Sequence, residues 1–184
     1  MKLLRKEIIN NLEIEIFRTE PKDWKKIRRD IMKIENSAFE KNVRQDEDDI
    51  KSTFLDERSV NLILVVNREI VGYTMGSPIE DYWYCEKYLE YNPELIRKTY
   101  YIESTAILPE YQGKGLGYIL REELVKELKK EKYEYVASHA TDIRILKIYK
   151  KLEENGYLRD CKVLEEIERW IGNRDAYFVV CKIN

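Results

Sequence analysis

The run Tyr101–Arg121, YIESTAILPEYQGKGLGYILR, limits what this chain can fold into more than any other stretch. Its first part reads as a buried strand that Pro109 brings to an end. Gln112, Gly113, Lys114, Gly115, Leu116 and Gly117 then form a basic loop with glycine at every second position. That spacing lets the backbone turn tightly, so that successive N–H groups converge on an anion. An amphipathic helix expected from about Gly117 adds the unpaired amides of its first turn and the positive end of its dipole. Strand, loop and helix together predict a pyrophosphate cradle. A Walker A loop is excluded because no glycine precedes a Gly-Lys-Ser/Thr at the required distance, and Gly-x-Gly-x-Gly is not the dinucleotide fingerprint Gly-x-Gly-x-x-Gly.

With the strand ahead of it, ILPEYQGKGLG resembles the acyl-CoA-binding segment of the GNAT superfamily of N-acetyltransferases, whose signature is Arg/Gln-x-x-Gly-x-Gly/Ala. The resemblance implies one α/β domain over residues 1–184, with a mixed, twisted sheet of about six to seven strands and helices on both faces. It also implies an enzyme that moves an acetyl group from acetyl-CoA to a primary amine by direct attack in a ternary complex. The element order agrees with this throughout. A strand is expected at Leu12–Phe17 and helices from Pro21 and at Asp46–Leu55. A hairpin follows, Asn61–Val66 with Ile70–Met75, then the central strand Thr99–Leu108 and a helix Gly117–Lys130. A strand Tyr133–Ser138, a helix Ile143–Glu154 and a closing strand Asp175–Ile183 complete the series.

Composition narrows the partners. The 184 residues carry a formal net charge of −2, which gives no whole-chain signal for nucleic acid or an anionic membrane. The longest apolar run, Leu62–Val66, is too short to cross a bilayer, and Glu7 with Asn10-Asn11 interrupts any leader-like core. Cys85, Cys161 and Cys181 lie far apart without metal-ligand spacing, so they read as reduced thiols of a cytoplasmic protein that holds no metal.

Acetyl transfer to an amine requires a base for the ammonium, a donor for the oxyanion and a proton source for the departing thiolate. By resemblance, Glu103 is the base, the N–H of Ile107 the oxyanion donor and Tyr149 the acid. Glu103 is also unusual on its own terms, because an acid inside an apolar strand is costly without a partner or a task. Residues 107–108 (Ile107, Leu108) and the loop Gln112–Gly117 are the expected acetyl-CoA contacts. Lys114 adds charge there, and Asp142, at the start of the helix Ile143–Glu154, is a further expected acetyl-CoA contact. Tyr149 shares an apolar helix face with Ile145 and Leu152, so a packed core tyrosine is the competing reading. His139, the single histidine, reads as structural or cleft-lining.

An inserted segment at about residues 78–98, PIEDYWYCEKYLEYNPELIRK, is dense in acids and aromatics. In related folds this connection lies near the acceptor, and Glu80, Asp81, Tyr82 and Trp83 would suit a cationic amine through charge and cation–π contact. Polyamine, lysine and N-terminal amines all fit, on a small molecule or a peptide, and a homodimer is compatible. Two alternatives stay open: a CoA-binding regulatory module without turnover, and an acyltransferase for longer acyl-CoA.

Overall fold

The computed structural model describes residues 1–184 except Asn10, Asp142 and residues 165–175. Its first elements are antiparallel strands β1 (Lys2–Ile9) and β2 (Leu12–Arg18). Ile14 and Ile16 of β2 are buried, while the intervening Glu13 and Glu15 reach Lys6 of β1 at 2.6 and 2.9 Å. This alternation is the period of a strand with one wet face. A 3-10 turn over Pro21–Asp23 leads into α1 (Trp24–Ala38), whose Trp24, Ile27, Ile31 and Ile34 recur at helical spacing and are buried. Asp46 caps α2 (Glu47–Leu55) by accepting from the amides of Asp48 and Asp49.

Strand β3 (Leu62–Val66) is buried along its whole length and turns into β4 (Glu69–Pro78). Asn67 and Arg68 at the turn both have positive φ, 49° and 72°, which matches the twist of the flanking strands. The inserted segment forms 3-10 turns at Ile79–Asp81 and Trp83–Leu89, followed by the short α3 (Pro93–Arg97). Next come β5 (Thr99–Ile107), α4 (Leu116–Lys130) and β6 (Tyr135–Ala140), with β6 parallel to β5. The last elements are α5 (Ile143–Glu154), β7 (Leu158–Leu164) and β8 (Tyr177–Ile183).

The strands bond in the order β1-β2-β3-β4-β5-β6-β8-β7, a mixed sheet of eight rather than six to seven. The two additions are β1 and β7, the edge strands of that order. Each pairs on one side only, so its sequence need not alternate cleanly. In β7 the register also breaks between Arg159 and Lys162, where Asp160 adopts φ 53°.

That irregularity brings Cys161 of β7 against Cys181 of β8, with Cα atoms 4.1 Å apart and the two sulfurs bonded. The expectation of three reduced thiols is therefore corrected. Sequence separation hid the pair because strand pairing, not spacing along the chain, brings them together. Cys85 alone is outside a disulfide, and it is buried. Among the described residues no helix is long and apolar enough to cross a membrane.

Two compact units make up the described chain. The first comprises Met1–Gly76 and Ser104–Leu124, the second Ser77–Glu103 and Val125–Asn184. The divisions fall inside β4, β5 and α4, so single elements contribute residues to both units.

Candidate active site

In the first unit, β5 ends where the amide of Leu108 donates to the carbonyl of Val71 at 2.8 Å. Gly72 permits this close approach: a Cβ there would lie 2.4 Å from Cδ1 of Ile107 and 2.9 Å from the carbonyl oxygen of Ala106. Ile107 and Leu108 are both buried. A 3-10 turn at Pro109–Tyr111 then delivers the chain to the loop.

The side chain of Gln112 turns back rather than outward, and its Nε2 donates to the carbonyl of Ile107 at 2.9 Å. This bond closes the loop on the strand end. Gly113 and Gly115 adopt φ of 75° and 79°, and no atom lies within 4 Å of where a Cβ would stand on either. The loop backbone thus faces open space in a conformation that costs most other residues about 1 kcal/mol. The ammonium of Lys114 donates to the carbonyl of Glu110 and lies 5.6 Å from the ring centre of Tyr111. Leu116 is buried and begins α4, and the Gly115 carbonyl accepts from the amides of Tyr118 and Ile119 at 3.1 and 3.2 Å. Gly117 lies in the first turn of that helix.

Side chains also tie the second half of β5 to its neighbour. Thr74 and Thr105 share a hydroxyl–hydroxyl bond of 2.8 Å. The Tyr73 hydroxyl donates to Oε2 of Glu35 and lies 3.3 Å from Oγ of Ser104. The other oxygen of Glu35 accepts from the amide of Gln45 at 2.8 Å. Glu35 is 1 % exposed, a buried acid that its place among the isoleucines of α1 could have signalled.

In the second unit, Glu103 meets the inserted segment. Tyr82 donates its hydroxyl to Oε2 of Glu103 at 2.9 Å and accepts from Oγ of Ser77 at 3.1 Å. Its ring packs on Tyr101 with centroids 4.5 Å apart. Tyr84 hydrogen-bonds Tyr101, whose hydroxyl lies 2.8 Å from Nδ1 of His139. His139 stands edge-on to Phe178, and Phe178 stacks on Tyr88. Burial first, then the charge of Glu103, pushes the Tyr82 phenol far above its ordinary range. Burial dominates the upward shifts of Tyr84 and Tyr101 as well. These phenols stay protonated at neutral pH, where they can donate but cannot serve as bases.

The four residues expected to face an acceptor divide. Glu80, Asp81 and Trp83 are exposed, Trp83 by 77 %, whereas Tyr82 is turned into the apolar cluster of Ile79, Cys85, Leu89 and Ile96. Tyr149 of α5 is also buried, with its hydroxyl donating to Oγ of Ser138 at 2.8 Å. Asp142 lies outside the described residues. Among the described residues, no group of three or more His, Cys, Asp or Glu is placed to hold a metal ion.

A sequence model of the Acetyltransferase (GNAT) family matches residues 24–153, well over half of the chain. The chain belongs to this family, and it is an acetyltransferase. Solved structures similar to it cover nearly its whole length. The ribosomal-protein-S18-alanine N-acetyltransferase of Escherichia coli aligns with TM-score 0.65 and 20% identity over 93% of this chain and 94% of that one. Diaminobutyrate acetyltransferase EctA of Paenibacillus lautus, solved with L-2,4-diaminobutyric acid and coenzyme A, aligns with TM-score 0.67 and 10% identity over 94% and 96%. Arabidopsis thaliana NAA60, in complex with a bisubstrate analogue, gives TM-score 0.63 and 17% identity over 93% and 99%. At these identities the likeness speaks for the fold. A comparison with curated protein sequences finds no match.

Proposed function

We propose that this single-domain acetyltransferase moves the acetyl group of acetyl-CoA onto a primary amine of a cationic small molecule or peptide, by direct attack in a ternary complex. The observation that carries the reading is Glu103, a carboxylate on the central strand held by a tyrosine hydroxyl among aromatic rings. An acceptor ammonium, with a pKa of roughly 10, must lose a proton before it can attack, and Glu103 receives it.

The glycine loop fits acetyl-CoA by what it leaves open. Gly113 and Gly115 expose backbone without side chains, and α4 begins directly behind them. The amides of Gly113 to Gly117 hold the pyrophosphate, Lys114 adds charge, and Gln112 keeps the loop closed on Ile107. Bound acetyl-CoA supplies the activated acyl carbon and a thiol leaving group. The amide of Ile107 serves as hydrogen-bond donor at the reacting carbonyl, whereas that of Leu108 is already committed to Val71. Tyr149, held on Ser138, is the proton source.

Exposed Glu80, Asp81, Glu90 and Glu94 give the inserted segment an acidic surface, which supports a cationic acceptor. Both kinds of acceptor occur among the similar structures, a diamino acid for EctA and a ribosomal protein for the S18-alanine enzyme. An amine screen that follows release of the CoA thiol tests the proposal. Spermidine, lysine and peptides with free N-termini should react, and reaction of neutral or acidic amines alone would overturn the cationic assignment.

A further inference from the structure

We infer that Tyr82 is a positioning residue for Glu103: within the second unit, the inserted segment holds the carboxylate in place and favours its ionised form. The inference rests on reading Glu103 as the base. It concerns a residue that the sequence alone assigned to acceptor contact.

The geometry is a line of three groups. Ser77 Oγ donates to the Tyr82 oxygen at 3.1 Å, and Tyr82 donates to Glu103 Oε2 at 2.9 Å. The direction is fixed because an ionised carboxylate only accepts, so the phenol must spend its one proton there. Donation into the Tyr82 oxygen polarises the phenol and strengthens its bond to Glu103. The ring cannot swing away, because Tyr82 is 9 % exposed and is held between Tyr84, at a centroid distance of 6.0 Å, and Tyr101, at 4.5 Å. Burial keeps the phenol protonated at every pH at which the protein would work. Tyr82 is thus a permanent donor that never competes for the proton Glu103 collects.

A donor on a carboxylate stabilises the charged form and so lets the base stay ionised at lower pH. Other titratable groups that interact with this carboxylate include Tyr84 from the same segment and Tyr101 on the same strand, with Cys85 acting on both. His139 of β6 stands one hydrogen bond further off, behind Tyr101.

The test is an NMR titration of the protein labelled with carbon-13 at glutamate side-chain carboxyls, with the Glu103 signal assigned through Glu103→Gln. In Tyr82→Phe the ring and its packing remain while the donor goes, and the Glu103 midpoint should rise by about one pH unit. Ser77→Ala should raise it in the same direction by less, and it serves alone if Tyr82→Phe loses the native melting transition. His139 is followed in the same titration to separate its charge from the effect. On the fastest amine of the screen, the acidic limb of the kcat/KM profile should move up with the midpoint while KM for acetyl-CoA holds. A Glu103 midpoint unmoved in both variants overturns the role. If Glu103→Gln leaves the acidic limb unaltered, the base reading itself fails and takes the role with it. If that limb is lost in Glu103→Gln yet unmoved in Tyr82→Phe, the role of Tyr82 alone fails.

Discussion

On the proposed reading, the glycine loop Gln112–Gly117 and the inserted segment with Glu103 would meet their ligands by opposite means. The loop offers backbone. Its two positive-φ glycines have nothing within 4 Å of their missing side chains, and its glutamine and lysine bond back to the loop and strand. The segment offers side chains locked to one another, from Ser77 through Tyr82 to Glu103 and from Tyr84 through Tyr101 to His139. A phosphate needs only converging N–H groups, which many sequences can supply once the glycines are present. A proton acceptor needs one oxygen at one place, and that takes a buried network.

The sharpest way to break this comparison is at Glu103. Glu103→Gln should lower turnover by about 10²–10⁴, most at low pH, where the ammonium is hardest to deprotonate. A pH–rate profile identical to the parent would remove the base. Second, Gly115→Asp places negative charge where the proposed pyrophosphate would sit; no atom lies within 4 Å of its Cβ, so the folding cost is that of its positive φ. Calorimetric CoA affinity should fall by about 100-fold, or roughly 2.7 kcal/mol, with only about 1 kcal/mol lost in folding stability.

The tyrosines around Glu103 give the third effect. Tyr82, Tyr84 and Tyr101 have phenols raised by burial, so folding binds their protons more tightly than the unfolded chain does. Stability from this source is complete below the ordinary phenol value of about 10 and is lost as pH climbs above it, by up to about 1.4 kcal/mol per group per pH unit. Absorbance at 295 nm should show these phenolates appearing only as the protein unfolds; their titration near pH 10 in folded protein would count against the buried network. The smallest effect belongs to Lys114. Lys114→Ala should weaken CoA binding only about two- to five-fold, the worth of an exposed charge contact. A loss as large as that in Gly115→Asp would mean that side chains, not backbone, hold the phosphates.

Much of this was legible in the sequence because it rests on short-range pattern. The glycine loop, the isoleucine face of α1, the β3–β4 hairpin and the span of α5 follow from spacing within one element. What stayed hidden depends on neighbours far along the chain. Strands β1 and β7 bond on one side only, and their patterns are correspondingly blurred. Cys161 and Cys181 meet only once a strand register is set. Tyr82 resembled its exposed neighbours Asp81 and Trp83 in sequence, and only the 3-10 turns around it decide that it points inward. Glu35 needed Tyr73, 38 residues away, to make sense of its burial.

The most direct test of the account is the melting temperature with excess acetyl-CoA, with free CoA and ATP as controls. Binding to the folded state at about 100 times the dissociation constant adds roughly 2.7 kcal/mol, a rise of roughly 5–10 °C for a chain of this size. A rise with acetyl-CoA and CoA but not with ATP is the predicted result. An unchanged melting temperature with all three would contradict the claim that the glycine loop holds an acyl-CoA.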